Sequence, residues 1–224
     1  MSTLPIAARR SAVLPIPRAI TAAQVAGLSF FGAGVVVLLG IITAEALYPI
    51  AYTTFGNEIS DLGGTRPPAS LVFQPSATIF NTTMLLAGLL VSLGVVAGHR
   101  VHRRWAVTLP TAALGISLML LAVFPGNTGN PHAITAMVAF FSGGFAAVFS
   151  SLVVRSPFRY ALMALGVVTL ACLASYFALG DANPMWALGV GGAERWVAYP
   201  EVLWMLGFGG YLAGSAETSP QSGT

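Results

Sequence analysis

Long apolar stretches alternate with short polar segments along this chain of 224 residues. Six stretches are nearly free of charge, and most charged side chains fall between them. About 20 apolar residues in a helix cross the ~30 Å hydrocarbon core of a bilayer, and a helix satisfies its own backbone hydrogen bonds, as lipid requires. The pattern therefore predicts an all-α, polytopic membrane protein with six transmembrane helices in one bundle.

The apolar stretches define the predicted helices to within several residues. They cover residues 24–44, 76–97, 105–124, 133–154, 160–179 and 193–214. The last helix is the least regular, because Pro200 lies in its first turns and predicts a kink. Helical spacing also places Glu194, Ala198 and Glu201 on one face of that helix.

The predicted domain organisation has one folded unit. Residues 19–214 form the transmembrane domain. Residues 1–18 and 215–224 are rich in Ser, Thr, Pro and small residues, and we predict that they are disordered cytoplasmic tails. The first apolar stretch is longer than the apolar region of a cleaved signal peptide, which predicts that it is retained as a helix.

The distribution of charge predicts the orientation. All ten basic residues are arginines, and eight of them precede helix one or lie in the second and fourth loops, whereas six of the seven acidic residues map to the opposite side. Because cytoplasmic loops carry an excess of basic residues, both termini are predicted to be cytoplasmic in a multi-pass protein of the cell (plasma) membrane. Arginines at membrane edges serve topology, so we expect no nucleic-acid partner.

Polar residues on the predicted outer side are the candidates for function. They come from three outer loops and from helix two, and they are Asn57, Ser60, Asp61, Asn81, His132, Glu194 and Arg195. Polar and ionisable groups at membrane depth are costly and usually have partners or a function. We therefore expect them to converge on one outward-facing pocket. Ordinary structural roles are the alternative, such as helix capping by Ser60 and Asp61 or an interhelical hydrogen bond from Asn81.

Arg195 breaks the charge segregation, since only Arg66 shares its predicted side. A guanidinium binds a carboxylate through two parallel hydrogen bonds. We predict that Arg195 pairs with Asp61, Glu58 or Glu201. Adjacent Glu194 is excluded, because neighbouring side chains on a helix point about 100° apart.

No metal or cofactor is expected. The three histidines are His99, His102 and His132, and only the last lies on the outer side, so a three-histidine zinc site cannot form there. The chain has no phosphate-binding glycine loop, no HExxH and no GxSxG motif. The single cysteine, Cys172, lies in an apolar run and is predicted to be an inert thiol.

The order of the short polar motifs carries a family resemblance. The matching residues are Asn57 with Ser60 and Asp61, Asn81, Phe124-Pro125 with His132, and Gly191 with Glu194-Arg195. The chain resembles the bacterial and archaeal membrane family known as domain of unknown function 998, over about residues 27–212. The resemblance implies a polytopic membrane fold and marks these residues, but it implies no activity.

Two functions are compatible with these residues. The first is a non-catalytic binder, carrier or assembly partner whose outer pocket receives a lipid head group or small polar ligand, with membrane lipid as its partner. The lack of a complete catalytic set favours it. Small residues four apart, Gly94 and Gly98, allow a homo-oligomer contact, although no further pattern supports one.

The second function is an intramembrane hydrolase or lipid-modifying enzyme. His132 would act as the base on Ser60 or on a water, oriented by Asp61 or Glu194. Arg195 would hold an anionic substrate. This hypothesis requires His132 within hydrogen-bond reach of Ser60 or of a carboxylate that lines a cavity. A small-molecule transporter built from two inverted halves of three helices is a third option.

Overall fold

The computed structural model describes residues 19–215 of the chain, which contain six long helices and no strand. The helices are α1 (Ala22–Ala46), α2 (Ser76–His102), α3 (Trp105–Val123), α4 (Asn130–Ser150), α5 (Phe158–Leu179) and α6 (Gly189–Ser215). Every predicted apolar stretch forms a helix, so the all-α prediction is confirmed. Of the predicted tails, 1–18 and 215–224, residues 1–18 and 216–224 lie outside the described residues, and Ser215 is the last residue of α6.

Local sequence signals explain where several helices begin. Thr21 and Gln24 form a capping box at the start of α1, in which the Gln24 N–H donates to Thr21 Oγ1 at 3.2 Å and the Thr21 N–H donates to Gln24 Oε1 at 3.0 Å. α4 begins after Gly129, whose φ of 72° suits glycine, and Pro131 occupies its first turn. α6 runs continuously through Pro200, from Gly189 to Ser215.

The six helices form a closed ring. Each helix packs against the next one in the chain, α6 packs back on α1, and α4 also touches α6. The seam between α1 and α6 is aromatic: the ring centroids of Phe30 and Phe208 are 5.5 Å apart, and those of Trp204 and Phe208 are 5.6 Å apart.

Glycines set three of the close helix contacts. A Cβ at Gly27 would lie 2.6 Å from the Gly209 carbonyl oxygen, which joins α1 to α6. The same relation joins α2 to α3, where a Cβ at Gly88 would lie 2.6 Å from the Gly115 carbonyl oxygen. At the contact between α4 and α5, Gly166 approaches Gly144 in the same way. Because lipid gives helices no hydrophobic reason to associate, such close backbone contacts hold a membrane bundle together.

Other small residues have different surroundings. Gly94 and Gly98 are buried within the chain, near Phe30 and Ala26 of α1. They are therefore not on an open face that a second copy could use. A Cβ at Gly210 or Gly214 would meet nothing within 4 Å among the described residues, so these two glycines do not mediate helix packing.

Five of the helices, α1 to α5, are long and apolar enough to cross a membrane. The sixth, α6, matches them in length but carries Glu194, Arg195 and Glu201. One end of the ring, here the acidic end, carries the loops with Glu58, Asp61 and Asp181. The opposite, basic end carries the arginines of the loops after α2 and α4.

The loop of residues 47–75, here the plug loop, folds across the acidic end of the ring. Its short 3₁₀ helix, Ile59–Leu62, is buried at both ends, with Ile59 5% and Leu62 0% exposed. Ser76 Oγ donates to the Leu62 carbonyl at 3.2 Å, and the Gly191 N–H donates to the Phe55 carbonyl at 3.1 Å. The loop is thus tied to both α2 and α6.

Candidate functional site

A cavity of about 80 Å³ lies inside the ring, below the plug loop. Its wall comes from α1, α2, α3, α4, α6 and the plug loop, and most of it is aliphatic or aromatic. The polar residues in this wall are Ser60, His132, Glu194 and Glu201. We call this space the central cavity.

Glu194 connects the cavity wall to the plug loop. Its Oε2 accepts a hydrogen bond from the Ile59 N–H. Ser60, the next residue, is 6% exposed, and its Oγ has no hydrogen-bond partner among the described residues. One hydrogen-bonded carboxylate, from α6, and one unsatisfied hydroxyl, from the plug loop, therefore line the same cavity.

His132 lies in the first turn of α4 and is 4% exposed. Its Nδ1 is 2.9 Å from the Phe124 carbonyl oxygen. A carbonyl only accepts, so Nδ1 carries the proton and Nε2 of the neutral ring is an acceptor. No hydrogen bond joins His132 to Ser60 or to a carboxylate in the described part of the chain, and the enzyme hypothesis required such a bond.

Glu201 lies two helical turns beyond Glu194 on the same face of α6. It is 6% exposed, and its Oε1 has no hydrogen-bond partner within residues 19–215. The carboxylate lies against the backbone of α4 at Gly143, where any Cβ would collide with it. A glycine at position 143 thus makes the space that this carboxylate fills.

A second space, of about 350 Å³, opens between α4, α5 and the start of α6. We call it the side cleft. It shares four lining residues with the central cavity: His132, Ala136, Phe140 and Glu194. Its other walls are largely apolar and aromatic, from Met137, Leu173, Tyr176, Phe177 and Trp186. The two spaces therefore adjoin through a common wall.

An ion pair stands at the polar end of the side cleft. Arg66 Nε is 2.7 Å from Glu58 Oε2, and the Arg66 side chain is 59% exposed. Burial raises the pKa of Glu58, and Arg66 opposes that rise. The cleft thus combines a charged rim with an apolar interior.

Arg195 lies outside both spaces, and its predicted partners are wrong. Its Nη2 contacts Glu45 Oε1 at 2.6 Å and Tyr52 Oη at 2.9 Å. Its Nη1 donates to the carbonyls of Thr54, Asn57 and Gly191 at 3.3, 2.9 and 2.8 Å. Glu45 is the partner because α6 packs on α1, whose last turn carries that carboxylate. One part of the prediction is confirmed: adjacent Glu194 is not the ion-pair partner.

The other predicted site residues serve the plug loop. Asn57 Oδ1 accepts from the Thr53 N–H at 3.0 Å, and Asp61 Oδ2 accepts from the Glu58 N–H at 3.0 Å. Asn81 packs against Gly63, and its Oδ1 has no partner among the described residues. None of these three lines the central cavity.

Of the seven predicted site residues, the central cavity thus brings together Ser60, His132 and Glu194. The candidate list omitted Glu201, although its spacing of seven from Glu194 indicated the same helical face. It also omitted Glu58 and Arg66 at the rim of the side cleft. In residues 19–215 no group of three His, Cys, Asp or Glu side chains is placed to hold a metal ion.

Several apolar helices in one bundle define a multi-pass membrane protein. The family model described as "Protein of unknown function (DUF998)" matches residues 31–211, so the chain belongs to that family, as the resemblance predicted. No curated protein and no solved structure matches the chain.

Proposed function

We propose that this protein spans the plasma membrane six times and binds a membrane amphiphile from the outer leaflet. The polar group of the ligand enters the central cavity, and its hydrocarbon chain occupies the side cleft. One observation carries the proposal: the polar-lined cavity and the apolar cleft share a wall formed by His132, Ala136, Phe140 and Glu194.

Two features support six spans. α6 has 27 residues, which corresponds to roughly 40 Å of helix. Two of its charged residues, Arg195 and Glu201, are 7% and 6% exposed, so neither meets lipid. The third, Glu194, lines the central cavity and the side cleft. With six spans, the positive-inside rule assigns the basic end and both termini to the cytoplasm, and the acidic end to the outside.

The side cleft has the properties of a site for a hydrocarbon chain. Its interior is apolar and aromatic, and Phe177, on its α5 wall, is 68% exposed to the surroundings of the bundle. Ligand sites are usually apolar spaces with a few placed polar groups. Here the polar groups are at the acidic end only, which matches a molecule with one polar end.

Binding is favoured over hydrolysis by the hydrogen bonds of the cavity. A serine nucleophile needs a base within hydrogen-bond reach. Ser60 Oγ has no such partner among the described residues, and Nδ1 of His132 is bonded to the Phe124 carbonyl rather than to a carboxylate.

A photo-crosslinking experiment tests the proposal. The purified protein is reconstituted with a lipid that carries a photoactivatable group in its acyl chain. Wild-type protein should crosslink at cleft residues of α4 and α5. Ala136 lines both the central cavity and the side cleft. Ala136→Phe should abolish these crosslinks, because the larger side chain would occupy space that the ligand needs.

Val138→Phe is the matched control, since Val138 is 45% exposed on the same helix and lines neither space. It should crosslink as wild type does. Crosslinks distributed evenly over all lipid-facing helices, and equal in both variants, would contradict the proposal.

A further inference from the structure

We infer that the central cavity is a binding site for a primary ammonium group, with Glu201 as its counter-ion. The inference depends on the proposed function only for the position of the ligand's chain. The site itself is defined by two buried and unpartnered polar groups, Glu201 Oε1 and Ser60 Oγ, that line one cavity.

Glu201 has no cation of the protein to pair with in the described part of the chain. Arg66 pairs with Glu58, and Arg195 pairs with Glu45 of α1, outside the central cavity. The remaining described arginines lie at the basic end. The Glu201 carboxylate accepts from the backbone N–H of Gly144 but has no cationic partner among the described residues, and a buried carboxylate without one is unfavourable. A positive group from outside the chain would therefore complement it.

The chemistry of the cavity wall is that of an acceptor site. An ammonium group has three donors and no acceptor. The wall offers the Glu201 and Glu194 carboxylates, Ser60 Oγ and Nε2 of neutral His132, and it contains no arginine. An ionised phosphate or sulfate has acceptors only, and it would find no cation in this wall.

The size of the cavity limits the polar group. The volume is about 80 Å³, and about 10–15 Å³ of such space admits one water molecule. The cavity therefore admits a small polar group, such as the aminoethyl end of a larger molecule. A quaternary trimethylammonium group also lacks the N–H donors that would satisfy these acceptors.

The experiment is a calorimetric titration of the purified protein in a nonionic detergent at pH 7. The probes are ethyl-, butyl- and hexylammonium ions, with tetramethylammonium and hexyl sulfate for comparison. The primary ammonium ions should bind, and tetramethylammonium and hexyl sulfate should not compete with them. Glu201→Gln should weaken ammonium binding by about tenfold or more, as expected for loss of a charge-assisted hydrogen bond.

Two further variants complete the design. Asp181→Asn removes an exposed carboxylate of the acidic end, and it should bind as wild type does. Gly143→Ala keeps Glu201 but displaces its carboxylate, and it should also weaken ammonium binding. Unfolding temperatures of all variants establish that they are folded before they are titrated.

Equal ammonium affinity in wild type and Glu201→Gln would overturn the inference, as would absence of ammonium binding in folded wild-type protein. The chain-length series identifies the source of the ligand. Affinity that rises from ethyl- to hexylammonium indicates the amine head group of a membrane amphiphile, whereas equal affinities indicate a free small amine.

The two proposals can fail separately. Glu201-dependent binding of ethylammonium, with no lipid crosslinks in the side cleft, would retain the ammonium site and contradict the amphiphile proposal. Crosslinks that disappear in Ala136→Phe, with ammonium affinity unchanged in Glu201→Gln, would retain the amphiphile proposal and contradict the ammonium site.

Discussion

Arg195 and Glu201 are both buried charged residues of α6, but they differ in their partners. Arg195 is 7% exposed, and it contacts one carboxylate, one phenol and three backbone carbonyls, while its Nε has no partner in residues 19–215. Glu201 is 6% exposed, and one of its oxygens has no partner among the described residues. Arg195 is thus a charge with partners in the protein, and Glu201 is the group that we propose is available to a ligand.

The two residues also differ in what they hold together. Arg195 joins α1, the plug loop and α6, which closes the ring at the acidic end. Glu201 lines an internal space, beside a glycine of α4 that admits its carboxylate. We therefore propose the ligand-binding role for Glu201, whereas Arg195, which was expected to hold an anionic substrate, contacts groups of the protein.

The largest effect is expected for Arg195→Ala. This change leaves Glu45 without its partner and removes the donor from three carbonyls, and breaking a buried pair costs about 3–5 kcal/mol. The free energy of unfolding, measured by titration with a denaturing detergent in mixed micelles, should fall by that amount. A fall below about 1 kcal/mol would show that Arg195 is solvated and that the comparison is wrong.

A smaller loss is expected for Glu45→Gln. The amide keeps one acceptor for the guanidinium but loses the charge, and the Glu45 side chain is 24% exposed. We expect roughly 1–3 kcal/mol, as for a hydrogen bond to a charged group. In the double variant with Arg195→Ala the two losses should not add, since both remove one interaction. Full additivity would exclude a direct pair.

Glu201→Gln should not lower the free energy of unfolding, because the carboxylate that it replaces has an unpartnered oxygen and burial of its charge is unfavourable. The same detergent titration measures it beside Arg195→Ala. A loss as large as that of Arg195→Ala would mean that Glu201 has a structural partner, and the distinction between the two residues would fail.

The smallest effect is expected for Arg66→Ala, which breaks an ion pair with a 59% exposed arginine. Exposed pairs contribute about 0–1 kcal/mol, so unfolding should change little. Lipid crosslinking at the side cleft should change more than stability does, because Arg66 lines the cleft. A large stability loss without a crosslinking change would make this pair structural, like that of Arg195.

Much of the fold could be predicted from the sequence, because apolar stretches between charged segments have one stable form in lipid. Helical spacing likewise predicts that Glu194 and Glu201 share one face of α6. The partner of Arg195 could not be predicted, since it depends on α6 closing the ring against α1. Nothing in the spacing of residues along the chain reports that contact.

The candidate site was predictable only in part for a similar reason. Ser60, His132 and Glu194 line one cavity, as their shared predicted side indicated. Asn57 and Asp61 lie on that side too, but they accept from backbone N–H groups of the plug loop. Arg195 instead bonds Glu45 and backbone carbonyls. Sequence identifies which polar groups are at one end of the bundle, and packing decides which of them remain unpaired.

Native mass spectrometry of the protein released from its own membrane, with no lipid added, tests the central claim most directly. We predict a defined bound mass on wild-type protein and on Val138→Phe, with the ligand carrying a primary amine and a hydrocarbon chain. The spectrum of Ala136→Phe should lack this bound mass. Wild-type protein that carries no bound molecule, or the same mixture of lipids on all three proteins, would contradict the account.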